Sequence, residues 1–125
     1  MIDPLTDEDL LAAFEAGALG GDEFPHARHV RVAWGLARTY GADEGLRRLI
    51  EGIRGIATRA GLPDRFHLTM TRAWFELISS AEDLAEHEEL FDKGLLARYY
   101  SPERLAAGRR EWLEPDLRPL ELSER

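Results

Sequence analysis

Apolar residues recur at spacings of three and four along each long segment of this chain, and glycines and prolines interrupt this pattern between segments. That spacing puts apolar side chains on one face of an α-helix, whereas a half-buried strand requires strict alternation, which the chain lacks. The pattern therefore predicts an all-α fold, a compact bundle of four to six helices with an extended C-terminal tail. A length of 125 residues suits one domain covering 1–125.

Capping and chain-breaking residues set the boundaries of the expected helices. Thr6 is a good N-cap for a first helix that closes at Gly17. Pro25 suits the first turn of a second helix that stops at Gly41, and Gly61 ends a third. The expected later helices cover residues 26–40, 43–60, 65–79 and 82–91, and one more begins at Ser101. Prolines 115 and 119 then favour a tail that wraps the bundle in extended form.

Charge and composition exclude several classes of function. The formal net charge is -8, with 24 acidic and 16 basic residues, so the chain repels phosphate backbones. We expect no nucleic-acid partner and no membrane partner, since no apolar run is long enough to span a bilayer. Cysteine is absent, which rules out disulfides, thiolate metal sites and thiol nucleophiles. The N-terminus lacks the pattern of a signal peptide, and we interpret the protein as cytoplasmic.

Three histidines form the strongest functional constellation in the sequence. His26 and His29 are neighbours on one predicted helix, roughly 5–6 Å apart at Cβ, and His67 lies in the first turn of another. All three fall on the apolar stripes of their helices. If those helices start close together, the imidazoles converge on one transition-metal ion, with zinc, iron, copper or nickel as candidates. Three protein nitrogens and an open position are typical of a catalytic metal site acting on a small molecule.

A second interpretation of the same histidines needs no metal or other cofactor. A histidine on an apolar stripe needs a polar partner, because an unpaired buried polar group costs about 1–3 kcal/mol. A backbone carbonyl, a threonine or a glutamate would satisfy that requirement. The chain would then be a non-enzymatic helical module that binds a partner protein or a small molecule. The sequence leaves both interpretations open and identifies no catalytic residue.

Two further residues are candidates for contact with a substrate. Thr71 lies four residues after His67 on the same helix face, so its hydroxyl could orient the imidazole or touch a ligand. A threonine that bonds the carbonyl one turn back is the commoner arrangement. Trp74 lies on the same helix, where an aromatic side chain is also typical of a core.

A basic cluster, Arg104, Arg109 and Arg110, stands out near the end of this acidic chain. Pairing with the acidic surface is the first interpretation, and binding of an anion is the second. Neither pattern nor composition identifies the substrate, and a homo-oligomer remains open.

Three sequence blocks resemble a small uncharacterised bacterial family of all-helical proteins. Residues 24–30, FPHARHV, match an F-x-H-x-x-H-[VL] block, and residues 66–71, FHLTMT, match [YF]-H-x-T-x-T. The third block is LARYYS at 96–101. The resemblance implies no activity, but its blocks contain the same three histidines. Family members often carry Glu directly after the second-block histidine, where this chain has Leu68, so an essential carboxylate is not expected there.

Overall fold

A computed structural model describes residues 2–122 of the chain. The α-helices are α1 (Asp7–Glu15), α2 (His26–Arg59), α3 (Leu68–Ser79) and α4 (Pro102–Ala107). Short 3-10 helices occupy Gly21–Glu23, Pro63–Arg65, Leu84–Glu86, Glu88–Phe91 and Lys93–Arg98. Residues 2–122 contain no strand, which confirms the predicted all-α class. In the same range no helix has the length and hydropathy needed to cross a membrane.

The long element α2 is a helical hairpin rather than a straight rod. Its single non-helical residue is Gly41, with φ 84° and ψ -176°, a conformation that essentially only glycine adopts. A Cβ added at Gly45 would lie 3.0 Å from the carbonyl oxygen of Leu36, although these residues would be about 13 Å apart along a straight helix. The segments 26–40 and 42–59 therefore fold back on each other, as the predicted helix stop at Gly41 requires.

Helix α1 packs against the second half of this hairpin through a glycine contact. A Cβ added at Gly52 would overlap the ring of Phe14, which is buried. Thus Gly52 permits close helix packing, which outweighs its low helix propensity. Gly55 has a different environment, since a Cβ there would meet only the guanidinium end of Arg59.

The core lies where α3 packs against the hairpin of α2. Helix α3 makes its most extensive contacts with α2, and the inward side chains of both are almost fully enclosed. The largest contributors from these two helices are Val30, Leu36, Leu49, Trp74, Phe75, Leu77 and Ile78. Because α2 and α3 pack together, the first turn of α2 and the start of α3 can frame one cavity.

Two boundaries differ from the sequence expectation. The predicted acidic helix over 82–91 is two 3-10 helices, Leu84–Glu86 and Glu88–Phe91. The fourth predicted helix begins at Leu68 rather than at 65, because Pro63–Arg65 forms a separate 3-10 turn and His67 is the N-cap. At the start of α3 the amides of Leu68 and Thr69 donate to the carbonyls of Arg109 and Gly108, whereas segment 82–91 satisfies its amides by local 3-10 hydrogen bonds.

The tail after α4 contains neither helix nor strand through residue 122, and buried polar side chains hold it against the bundle. The Thr69 hydroxyl donates to the Glu111 carbonyl at 2.6 Å and accepts from the Leu113 amide at 3.1 Å. Tyr99 and Tyr100 are both buried, and both hydroxyls donate to carbonyls of the tail, at 2.7 and 2.8 Å. The tail therefore fixes the position of α3, whose first turn carries part of the candidate site.

Candidate functional site

A cavity of about 350 Å³ opens where α2 and α3 begin. All three predicted histidines line it, and most of its remaining wall is aromatic or aliphatic. The aromatic part of the lining consists of Phe24, Phe66 and Trp74. We call this space the histidine cavity. Its two helix starts are brought together by the packing of α3 on the α2 hairpin.

His67 holds the start of α3 through both of its ring nitrogens. Nδ1 accepts a hydrogen bond from the backbone amide of Met70 at 3.1 Å, as an N-cap side chain does. Nε2 lies 2.8 Å from the carbonyl oxygen of Leu105 and must donate, since a carbonyl only accepts. These two bonds select one neutral tautomer. Burial is the main cause that lowers the pKa of His67, although the carbonyl of Leu105 acts in the opposite direction.

His26 ties the first turn of α2 to the 3-10 helix Glu88–Phe91. Its Nε2 lies 2.9 Å from the carbonyl oxygen of Leu90, so Nε2 carries the donated proton. The ring packs on Trp74, with centroids 4.5 Å apart and planes tilted by 59°. Backbone and aromatic contacts together fix the orientation of this imidazole in the cavity wall.

His29 is the least satisfied of the three histidines. Its Nε2 is enclosed and has no hydrogen-bond partner among residues 2–122. Its ring centroid lies 5.8 Å from that of Phe24 and 5.9 Å from that of His26. Burial, and to a smaller extent the neighbouring His26, lowers the pKa of His29 to about 4. The imidazole of His29 is therefore neutral at pH 7.

A three-histidine metal centre does not fit these hydrogen bonds. A ligating imidazole must offer a nitrogen lone pair, and in His67 that lone pair, on Nδ1, already accepts from the Met70 amide. Across residues 2–122, no group of three or more histidine, aspartate or glutamate side chains is placed to hold a metal ion. Ligation by His67 would therefore require the cap of α3 to open.

Both predicted substrate-contact residues, Thr71 and Trp74, also line the cavity. Thr71 is buried, and its hydroxyl donates to the His67 carbonyl at 2.7 Å, which is the bond one turn back that threonines commonly form. Trp74 is 4% exposed and offers mainly ring surface beside His26. Thr71 thus has its proton engaged and retains only acceptor capacity toward a ligand.

Six of the described lining residues were not recognised as site residues in the sequence: Phe24, Ile53, Arg65, Phe66, Met70 and Lys93. Phe24 and Phe66 directly flank the histidine motifs, so proximity in sequence was a usable signal for them. Among the lining residues that lie within 2–122, only Arg65 and Lys93 carry a fixed charge, and both are positive. Lys93 lies in a 3-10 helix that the sequence pattern did not link to the histidines, and only the tertiary fold brings it there.

Comparisons of the chain with protein-family models, with curated proteins and with solved structures find no match. The resemblance to a bacterial helical family therefore stays a prediction. The functional argument rests on the geometry of the histidine cavity.

Proposed function

We propose that this protein binds a small, mostly apolar molecule in the histidine cavity. The observation that supports this proposal is the convergence of three histidines and three aromatic side chains on one cavity of about 350 Å³. Small-molecule sites in proteins are concave, mainly apolar and supplied with a few oriented polar groups, which describes this lining. Two of the histidines are themselves oriented by backbone carbonyls.

The cavity volume limits the size of the ligand. A volume of about 350 Å³ lies near the lower end of known ligand cavities, roughly 300–1,000 Å³. Because a water molecule occupies about 30 Å³ in the liquid, the cavity accommodates on the order of ten non-hydrogen atoms. The rings of Phe24, Phe66 and Trp74 favour an aromatic or flat apolar body, which they can contact edge-on or face-on.

The lowered pKa of His29 and the engaged ring nitrogens of His67 favour ligand binding over acid–base catalysis at this site. An efficient general base has a pKa near the working pH, whereas the pKa of His29 is lowered to about 4. His67 has both ring nitrogens engaged in hydrogen bonds, so it cannot move a proton without releasing the start of α3. We therefore propose a binding module in which His26 and His67 are polar supports of the cavity wall.

Calorimetric titration with 3-phenylpropanol, a neutral probe of ten non-hydrogen atoms, tests the proposal. Ile53 lines the cavity and Leu62, an exposed residue, does not, so Ile53→Phe and Leu62→Phe form a matched pair. We expect the wild type and Leu62→Phe to bind, and Ile53→Phe to lose at least about tenfold in affinity because the new ring fills the cavity.

Amide and indole NMR shifts of the wild type give a readout that does not depend on any variant folding. The probe should perturb the signals of Trp74 and His29 most. Absence of binding to the wild type, or shifts confined to another surface, would refute the proposal.

A mononuclear metal centre on His26, His29 and His67 is the second candidate, and it requires the cap of α3 to open so that Nδ1 of His67 can ligate the metal. It is favoured by their shared cavity and by the enclosed Nε2 of His29, which has no partner among the described residues. It predicts that Zn²⁺ binds once per chain and that His67→Gln abolishes binding, while His87→Gln, outside the cavity, keeps it. Substoichiometric metal that survives replacement of all three cavity histidines would rule out this candidate.

The proposal also covers the cellular location and the partners of the protein. The absence of cysteine suits a reducing compartment, and we propose a cytoplasmic location. The formal charge of -8 argues against nucleic acid as a partner. Light scattering after size exclusion tests whether the chain forms a homo-oligomer.

A further inference from the structure

A second cavity, of about 290 Å³, lies beside the histidine cavity, and the Phe66 side chain lines both. Three arginines line this second space: Arg54 from α2, and Arg109 and Arg110 from the segment after α4. Within the described part of the chain, Asp64 is the one acidic residue that lines it. We call this space the arginine cavity.

These three arginines differ from the five arginines of α2 and α3 that form ion pairs with carboxylates. Among residues 2–122, none of them has a carboxylate oxygen within 4.0 Å of its guanidinium. The arginines that do form such ion pairs are Arg28, Arg31, Arg47, Arg48 and Arg72. In a chain of net charge -8, a cavity with three unpaired guanidinium groups is a local positive region.

Two of the three guanidinium groups are held in place by neutral contacts. Arg109 Nη1 donates to the backbone carbonyl of Asp64 at 2.9 Å, and the guanidinium carbon of Arg54 lies 4.7 Å from the ring centroid of Phe66. Neither contact neutralises the charge. A guanidinium held in this way keeps donors for a carboxylate or phosphate, which it binds through two parallel hydrogen bonds.

We propose that the ligand of the histidine cavity is an anion whose carboxylate or phosphate group binds in the arginine cavity. This inference rests on the proposed binding function and adds the chemical class of the ligand. Phe66 forms a wall common to both cavities, so one molecule can place its apolar body beside the histidines and its charged end beside the arginines. The charged lining of the histidine cavity, Arg65 and Lys93, favours the same sign of ligand.

Matched probes separate the contribution of the charge from that of the apolar body. Calorimetry compares the affinities of 3-phenylpropionate and 2-phenylethyl phosphate with that of neutral 3-phenylpropanol. Inorganic phosphate serves as a charged probe that lacks an apolar group. We expect at least one anionic probe to bind about tenfold or more tightly than 3-phenylpropanol at low salt, and this advantage should shrink in 300 mM NaCl. Which of the two anions binds better identifies the head group.

A double variant, Arg54→Gln with Arg110→Gln, locates the effect, and Arg98→Gln is the matched control because Arg98 is exposed and lines neither cavity. The double variant should lose most of the preference for the anionic probes, because only Arg109 of the three arginines remains, while the control keeps the full preference. Equal binding of all three aromatic probes to the wild type would overturn the inference and leave the proposed function intact. Binding of inorganic phosphate alone, or of no probe, would overturn both.

Discussion

Acidification should destabilise this protein between pH 7.5 and pH 5 because of His29. The folded state holds His29 neutral and lowers its pKa from 6.5 to about 4, whereas the unfolded chain leaves the imidazole in water. Below pH 6.5 the unfolded state therefore binds a proton that the folded state does not. Stability is fully present above pH 6.5 and falls until the pH reaches the folded value near 4.

The size of the effect follows from the same shift. Each pH unit between the two pKa values costs 1.36 kcal/mol, so lowering the pH to 5 should remove about 2 kcal/mol of the free energy of unfolding. His67, whose pKa is also lowered, changes stability in the same direction. The carboxyl groups of Asp3, Glu44 and Asp116 have lowered pKa values too, so their stabilising effect is lost at more acidic pH, below this window.

Urea unfolding of the wild type and of His29→Leu at pH 7.5 and pH 5.0 isolates this effect. Because Leu removes an unpartnered nitrogen, we expect the variant to be within about 1 kcal/mol of the wild type at pH 7.5. It should lose about 2 kcal/mol less than the wild type on acidification. Ile53→Val is the control, since it removes a methylene from the same cavity and should lower both values equally, by about 0.5–1.5 kcal/mol. An unchanged pH dependence in His29→Leu would refute the reasoning.

Three further predictions concern backbone geometry and capping. Gly41→Ala forces a left-handed φ on a residue with a Cβ, so it should lower the free energy of unfolding by about 1–3 kcal/mol. A dimeric fraction should also appear in light scattering, because a straightened α2 can exchange its halves between chains. A monomer of wild-type stability would contradict this. Gly52→Ala should cost about 1–3 kcal/mol in urea unfolding because its Cβ overlaps Phe14, whereas Gly55→Ala should be neutral or stabilising by up to about 1 kcal/mol. His67→Ala should lose about 1–2 kcal/mol and His67→Asn less, because an asparagine can still cap α3; equal losses would argue against the cap.

Local chemistry in the sequence was sufficient to predict the helical framework. Gly17, Gly41 and Ser101 end or begin helices where their conformational and capping preferences indicate. The apolar spacing of the fourth predicted helix places Trp74 and Leu77 on its inner face, and both are buried. These signals arise within about one helical turn, so reading them requires no knowledge of residues distant in the chain.

Prediction was weaker where long-range contacts compete with local preference. The segment 82–91 has helical spacing, yet it folds as two 3-10 helices, with Leu90 buried and its carbonyl bonded to His26. The apolar spacing over 43–60 predicts an inner face made of Leu46, Leu49, Ile50, Ile53, Ala57 and Ala60. In the structure Ile56 is buried and Ala60 is exposed. The apolar spacing of one helix does not reveal which neighbouring segments cover its side chains in the folded protein.

The sequence by itself predicted that His26, His29 and His67 face inward at the starts of two helices and that each needs a polar partner. Only the tertiary structure decided that His26 and His67 bond to backbone carbonyls and that Nε2 of His29 has no partner among residues 2–122. The carbonyls of Leu90 and Leu105 lie 64 and 38 residues away from the histidines they bind. The physical reason is that a helix face is set by neighbours three and four residues away, whereas the partner of a buried imidazole is set by whichever backbone the fold brings against it.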